Sequence, residues 1–263
     1  MVSDINPSFS EATVQYCQRS QGPLCHSCRS SSSIQMSTSA GFVRELTAYL
    51  TLKNLPPSSP WFQSFLPTIR ASTPLPALQK TALFRLLASD ITQSLERTPS
   101  SIFPADIHNA HIKERKLVGP IACQVLDVED IGQSRWSQVE ALEAAERGEG
   151  KKGREVIRVI PSDEQGGDRG AYVSLGPHKL LVQDAQGTRV YGMELQTIEG
   201  INVNMSIGTK LVLKDVIVAR GVILLEPQSV NVLGGKIEQL HKEWRETRKE
   251  RLKIAVGMVV ETG

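Results

Sequence analysis

Strand patterns fill residues 179–235, which include KLLVQDAQGTRVYGMEL (179–195) and KLVLKDVIVARGVILLEPQSVNVLGG (210–235). Residues 189–198 read as one strand, in which Tyr191 and Met193 point to the same face because side chains alternate in an extended chain. Lys214 and Asp215 interrupt a run rich in Leu and Val, as a β-bulge would. The whole region therefore predicts four consecutive strands separated by short turns.

A fifth strand is needed to close these four into a small barrel without exposed edges. The apolar run IACQVLDV at residues 121–128 lies well upstream and supplies it. We therefore predict an α+β protein with a five-stranded OB-type β-barrel over residues 112–235. A long insertion, residues 133–177, separates strands 1 and 2 of this barrel.

Helical periodicity precedes the barrel. Phe42, Leu46 and Tyr49 fall on one apolar face, and the prolines at 56 and 57 end that helix. A second helix starts at Pro60, and a third runs from about residue 75 to 95. Residues 39–98 are therefore expected to form an N-terminal three-helix bundle, whose aromatic stripe is interpreted as core rather than as a docking groove.

The two ends of the chain carry weaker patterns. Residues 1–38 are polar and Ser-rich and predict a disordered leader. Cys25 and Cys28 look like half of a zinc site, but no second pair of ligands follows, so free thiols and no metal are expected. Residues 236–254 predict a charged C-terminal helix whose Trp244 and Leu240 pack on the barrel, and residues 255–263 read as a frayed tail.

Composition excludes several classes of protein. The 263-residue chain has a formal net charge of +2, whereas a stand-alone nucleic-acid binder usually shows a strongly basic face. No apolar run approaches the length of about 18 residues that a membrane span needs, and no secretory signal is visible, so an intracellular protein is expected. Phosphate loop, dinucleotide fingerprint and nucleophile elbow are all missing. We expect no enzyme activity, no cofactor and no small-molecule substrate.

The insertion carries two patterns of its own. Residues 136–147 look helical, with Trp136, Val139 and Leu142 on one side, and residues 155–161 look like a short strand. Apolar side chains in a mobile loop usually need a partner surface, and arginines beside them can meet carboxylates or phosphates. The predicted partner contacts are Arg154, Val156, Ile157, Arg158, Val159 and Ile160. The alternative is a disordered insertion without a partner.

Four short motifs occur in order: residues 192–194 (GME), 208–210 (GTK), 221–227 (GVILLEP) and 232–235 (VLGG). Together they resemble the N-terminal OB domain of the RecQ-mediated genome instability protein 1 family, and the likeness extends loosely upstream to about Gly41. The resemblance implies a non-catalytic nuclear partner of a RecQ-family helicase and a type IA topoisomerase (topoisomerase III). It also implies that the insertion reaches into the topoisomerase gate, and that the complex decatenates DNA and dissolves double Holliday junctions in homologous recombination.

Two other functions stay open. OB barrels commonly bind single strands, so the chain could be an independent single-stranded or junction DNA-binding module. Weak DNA contacts would come from the basic residues of the barrel: Lys179, Arg189, Lys210, Lys214 and Arg220. Against this, Tyr191 is the single aromatic of the barrel strands, and Glu226 and Asn231 replace basic positions of the family pattern. The other possibility is a scaffold whose helical bundle holds the helicase.

Overall fold

A computed structural model of the chain describes residues 41–69, 73–152, 155–158 and 176–258, with backbone alone at 149–152 and 155–158. The chain divides into two compact units, Met1–Phe42 and Val43–Gly263. Within the first unit, the structure describes residues 41 and 42, and both are helical. The predicted leader, with Cys25 and Cys28, therefore lies outside the described residues, as does most of the predicted tail.

Short helices occupy the start of the second unit. They are α1 (residues 41–52, which begins in the first unit), α2 (Ser59–Phe65), a 3₁₀ turn (Leu66–Thr68), α3 (Leu75–Leu87) and α4 (Ile91–Ser94). Ser58 caps α2, because its Oγ accepts a hydrogen bond from the Trp61 N–H at 3.3 Å. Trp61 and Phe65 stack with ring centroids 5.0 Å apart, and both are at least nine-tenths buried. The aromatic stripe is thus core, as expected.

The predicted third helix is longer than the observed one. Helix α3 ends at Leu87, and Asp90 is extended and caps the separate helix α4 through a 2.9 Å bond to the Thr92 N–H. The Ile91 N–H donates to the buried Gln124 side chain on the sheet at 3.0 Å. Asp side chains compete with helix hydrogen bonds in this way. Periodicity alone could not show that break.

Eight strands form one curled sheet. They are β1 (Arg115–Leu117), β2 (Ile121–Asp130), β5 (His178–Asp184), β6 (Arg189–Glu194), β7 (Lys210–Leu213), β8 (Val216–Ala219), β9 (Val222–Leu225) and β10 (Val230–Gly234). Their order is β1-β8-β9-β6-β5-β2-β7-β10, and every pair is antiparallel except β6 with β9. The interruption predicted at Lys214 and Asp215 separates β7 from β8, and Asp215 has a φ of 55° there.

Strand β1 was not predicted. Arg115–Leu117 pairs with β8, and Lys116 lies opposite Ile217. The pattern is too short to stand out, and its partner lies about a hundred residues away. Because β1 is hydrogen-bonded on one side only, it forms one edge of the sheet.

Helix α6 (Glu238–Ala255) follows the sheet, within two residues of its predicted bounds at either end. Trp244 is 7% exposed and belongs to the apolar core inside the curled sheet, with Leu240 packed against it. The core also includes inward residues of β2, β5 and β7, among them Val125, Leu180 and Leu211, which are completely buried. Among the described residues, no helix is both long and apolar enough to cross a membrane.

Candidate partner interface around the insertion

The two arms of the insertion lie side by side where they leave the sheet. The Ile131 N–H donates to the Pro177 carbonyl at 2.9 Å, and the Gly132 N–H donates to Asp130 Oδ1 at 2.8 Å. A Cβ at position 132 would lie 2.2 Å from the Gly176 carbonyl oxygen, so only glycine fits this approach. The root of the insertion is therefore closely packed.

A buried polar pair holds the returning arm. Glu194 on β6 accepts hydrogen bonds from the His178 backbone N–H at 3.0 Å and from the Ile198 N–H at 2.7 Å. His178 Nδ1 lies 2.6 Å from the same carboxylate, and both side chains are 2% exposed. Buried carboxylates need such partners. No sequence pattern had indicated this pair, because its members are sixteen residues apart on different strands.

The first part of the insertion is the helix α5 (Arg135–Glu146), close to the predicted 136–147. Ser134 caps it by accepting from the Ser137 N–H at 3.1 Å, and the Gln138 side chain donates to the Asp130 carbonyl at 2.9 Å. Val139 is buried as predicted, but Trp136, placed on the same side by sequence, is 50% exposed. Trp136 lies in the first turn, where the helix leaves the sheet before its apolar face meets other elements.

Helix α6 forms two ion pairs with α5 and one with β2. Lys249 Nζ lies 2.7 Å from Glu146, Lys253 Nζ lies 2.6 Å from Glu143, and Arg251 reaches Asp127 on β2 at 2.9 Å. The sequence predicted that this helix is charged, but not which groups its charges meet. The two lysines are spaced so that each can meet one of two glutamates that are three residues apart on α5. The sequence alone does not show which helices pair when they are a hundred residues apart in the chain.

These ion pairs shift the titration of their carboxyl groups. A hydrogen bond from Lys253 holds the pKa of Glu143 below its ordinary value of 4.5. Burial alone would raise the pKa of Glu129, but hydrogen bonds from Lys179 and Arg135 outweigh burial and lower it. Arg135 begins α5 and Lys179 lies on β5, at 2.7 and 2.5 Å from Glu129 respectively. Glu129 therefore connects both arms of the insertion.

Beyond α5 the chain forms a second, separate sheet of two strands, β3 (Glu149–Lys152) and β4 (Glu155–Arg158). The predicted contacts Val156, Ile157 and Arg158 lie on β4, where Val156 is opposite Lys151 and Ile157 is opposite Gly150. The other three, Arg154, Val159 and Ile160, lie outside the described residues. Strand β3 was missed because its glycine-containing sequence resembles a helix terminator.

The basic residues predicted to contact DNA differ in how far they are exposed. Arg189, Lys214 and Arg220 are exposed, and Lys179 is half-buried with its ammonium 5.3 Å from the centre of the Tyr191 ring. Tyr191 itself is 51% exposed, on the outer face of β6.

The burial of Lys210 contradicts its predicted contact with DNA. It is 1% exposed, and its Nζ donates to the carbonyls of Gly208 at 2.8 Å and Leu87 at 3.2 Å. Burial lowers the pKa of Lys210 to about 7, against the raising effect of the Asp90 carboxylate. A side chain enclosed between α3 and β7 cannot reach a phosphate, so the prediction for this residue is wrong. It joins the helical region to the sheet instead.

Metal and thiol chemistry find little support in the described part of the chain. No group of three or more His, Cys, Asp or Glu side chains there is arranged to hold a metal ion. Cys123 is completely buried on β2, and burial raises the pKa of its thiol well above the ordinary value. A protonated, enclosed thiol behaves as a small apolar side chain.

Comparisons with known proteins agree with this architecture. Residues 103–248 match the family model described as "RMI1, N-terminal OB-fold domain", and residues 50–94 match "RMI1, N-terminal helical domain". The chain is 31% identical over 201 residues to RecQ-mediated genome instability protein 1 of Schizosaccharomyces pombe, covering 70% of this chain and 83% of that protein.

More distant relatives are longer. The Xenopus laevis protein of the same name is 26% identical, and the match covers 81% of this chain but 37% of the relative. Tudor domain-containing protein 3 of Danio rerio is also 26% identical, over 63% of this chain and 18% of the relative. The chain thus spans most of the S. pombe protein but little more than a third of the Xenopus protein.

Proposed function

The chain belongs to the RecQ-mediated genome instability protein 1 family, and on that basis we propose that it is a non-catalytic accessory subunit in genome maintenance. Its partners in this proposal are a type IA topoisomerase (topoisomerase III) and a RecQ-family helicase, in the nucleus. The subunit promotes decatenation and the dissolution of double Holliday junctions in homologous recombination. The chemistry belongs to the partners.

One observation carries the proposal. The insertion combines a closely packed root with a separate two-stranded sheet that pairs with no strand of the large sheet. The root is held by Gly132 against Gly176 and by the buried His178–Glu194 pair. A rigid base under a separate hairpin favours a segment that is positioned for a partner rather than one that lacks a role.

The hairpin acts by selecting one state of the topoisomerase gate. A subunit shifts such an equilibrium only through a difference in affinity for the open and closed states. Residues 154–160, whose apolar and arginine side chains were predicted as contacts, supply that difference. The expected effect is a change in decatenation rate, with no new reaction.

The finer architecture is also proposed here. Strands β7 and β8 are separated by two residues, and β9 and β10 by residues 226–229, so each pair reads as one interrupted strand. The two merged strands pair with each other, because β10 pairs with β7 and β9 pairs with β8. The strand β9/β10 also pairs with β6, so the neighbouring strands form a closed ring. On this basis the sheet is a five-stranded OB barrel with β1 as an added edge strand, preceded by a three-helix bundle.

The test exchanges the two-stranded sheet together with all the predicted contacts. Residues 149–160 are replaced by a Gly/Ser linker of equal length, which keeps α5 and the root. Both forms are co-purified with the topoisomerase III of the same organism and compared in a decatenation assay. Leu52→Ser, at an 82% exposed position of α1, is the matched control. Altered decatenation with the exchanged hairpin, and unaltered decatenation with Leu52→Ser, supports the proposal. Equal rates for all forms, or no binding by the intact chain, contradicts it.

A second candidate is the independent DNA-binding module. It is favoured by the exposed Tyr191 with Lys179 beside its ring, since aromatic and basic groups together hold single strands. This function predicts strongly salt-dependent binding of oligothymidylate by the chain alone, lost in Tyr191→Ala. Binding of that kind without any topoisomerase affinity would favour the module over the accessory subunit.

A further inference from the structure

The outer face of the large sheet carries a contiguous apolar strip across four strands. Two cross-strand rows follow from the pairing: Ile217–Leu224–Met193 and Ala219–Val222–Tyr191–Leu181. We call these seven residues the apolar strip. Tyr191 is 51% exposed, Met193 37% and Ile217 36%, and Leu195 beside them is 49% exposed. Single exposed apolar residues are ordinary, but a contiguous set of this kind indicates a binding surface.

The strip has the dimensions of one short helix. Its four strands are about 4.8 Å apart, so it is about 14 Å long, and its two rows are about 7 Å apart along the strands. A helix rises 1.5 Å per residue, so about ten residues of helix, or three turns, would lie across the strands. The apolar stripe of an amphipathic helix, at i, i+3, i+4 and i+7, matches this narrow shape.

Charges around the strip are one-sided. Lys116 and Lys179 end the first row, but Asp215 at 3.0 Å and Glu129 at 2.5 Å pair with them. Arg189 begins β6, and Arg220 lies in the turn between β8 and β9, where its guanidinium donates to the Ala110 carbonyl at 3.5 Å. Because β6 and β9 are parallel and both begin at this end, the two arginines lie at the same side of the strip. Both arginines are exposed, and within the described residues neither forms an ion pair.

We propose that the apolar strip docks an amphipathic α-helix of a partner protein that carries acidic residues along one flank. The apolar stripe of that helix covers the strip, and its acidic flank meets Arg189 and Arg220. Six of the seven strip residues are aliphatic or thioether side chains, which cannot stack on bases, so a protein segment fits better than single-stranded nucleic acid. The inference does not require the topoisomerase role, because it concerns a different surface from the insertion.

The test uses the full chain and a synthetic probe. The probe is a helical peptide of about 15 residues with Leu at i, i+3, i+4, i+7 and i+11 and Glu along one flank. Its counterpart has Lys in place of Glu, and an oligothymidylate is the nucleic-acid probe. Backbone amide shifts in NMR spectra locate each binding site. We expect the acidic peptide to shift amides of β6, β8 and β9, with an affinity at least about tenfold above that of the basic peptide.

Variants assign the binding to the strip. Met193→Lys and Ile217→Lys should each lower the affinity for the acidic peptide by about tenfold or more. Leu52→Lys on α1 should keep that affinity within about twofold of the wild-type value. Arg189→Glu with Arg220→Glu changes two exposed side chains, so the fold should persist, and the preference should reverse toward the basic peptide. The amide spectrum of each variant reports folding directly.

Three outcomes would overturn the inference. If the acidic peptide shifts amides that lie away from β6, β8 and β9, it binds at another site. If oligothymidylate shifts the backbone amides of the apolar strip and the acidic peptide does not, the strip is a nucleic-acid surface. Self-association of the chain that covers the strip, detected by sedimentation and removed by Met193→Lys, would make a second copy the occupant.

Discussion

Helices attach to the large sheet at two places, and the polar contacts at these places differ in burial. Before the sheet, buried groups join the helical region to it: Lys210 to the Leu87 carbonyl, and Gln124 to the Ile91 N–H. After the sheet, α6 joins α5 through side chains at the surface, such as Lys249 with Glu146. We call the first contact the buried junction and the second the surface brace.

The difference has energetic consequences. A hydrogen bond between buried groups is costly to break, because the group left behind is neither solvated nor paired. Exposed ion pairs contribute little each and are screened by salt. The buried junction should therefore behave as one unit with the sheet, whereas the surface brace should loosen under conditions that leave the sheet folded. The helix that bears the proposed partner hairpin is on the loosely held side.

The largest effect is expected at Gly235. Its φ is 100°, and a Cβ there would lie 2.5 Å from the Leu87 carbonyl oxygen at the buried junction. Gly235→Ala should lower the free energy of unfolding by about 3 kcal/mol or more, in denaturant titrations. Gly234→Ala is the control, since it has a similar φ of 83° but open space around its Cβ, and it should cost only about 1 kcal/mol. Equal costs would show that the junction is not closely packed.

The buried junction also predicts a rise of stability with pH. The pKa of Lys210 is lowered from 10.5 to about 7 by burial, so above pH 7 the unfolded chain binds more protons at this site than the folded chain. Folding then becomes more favourable as pH rises from 7 toward 10.5, by about 2 kcal/mol between pH 7 and pH 9. Chemical denaturation of the wild type and of Lys210→Met across this range measures it. A rise of the same size in Lys210→Met would contradict the assignment.

At the surface brace the effect should be local. Lys249→Ala with Lys253→Ala removes both lysine pairs to α5 while Trp244 still anchors α6 in the core. Backbone amides of α5 should exchange hydrogen faster, and those of β5 and β7 should not change. High salt should reproduce this effect in the wild type. The exposed Lys242 pairs with Glu246 of the same helix, so Lys242→Ala is the matched control.

The smallest effect is expected in acid. The pKa values of Glu143 and Glu129 are below the ordinary 4.5, so their stabilisation is complete above that pH and is lost as pH falls through the lowered values. The protection of α5 amides, measured relative to their intrinsic exchange rates, should therefore fall below about pH 4.5, before the sheet unfolds. If α5 and the sheet lose protection together, the brace is not a separate unit.

Local patterns predicted much of the architecture. The alternation in residues 189–194 placed Tyr191 and Met193 on one face, and the structure exposes both. Trp244 was predicted to pack on the sheet and does so, because its apolar seam recurs at helical spacing. The motifs around Gly208 and Gly221 indicated the family that the comparisons show. Each of these depends on residues close together in the chain.

Features built from distant residues could not be predicted in the same way. Lys210 looked like a surface cation at the start of a strand, but the end of α3 covers it and its ammonium bonds to carbonyls there. Strand β1 exists because β8 offers it hydrogen bonds, and the His178–Glu194 pair exists because β5 and β6 are neighbours. None of these side chains carries a local signal of its eventual burial.

The sequence by itself indicated the family, the last helix and the main strands on either side of the insertion, because periodicity and turn residues act over a few positions. Tertiary structure alone decided which charges are buried, which acids α6 meets on α5, and which apolar residues of β6, β8 and β9 form one exposed strip. The physical reason is that burial and pairing depend on what lies opposite a side chain. In a curled sheet with a long insertion, the neighbours are often a hundred residues away.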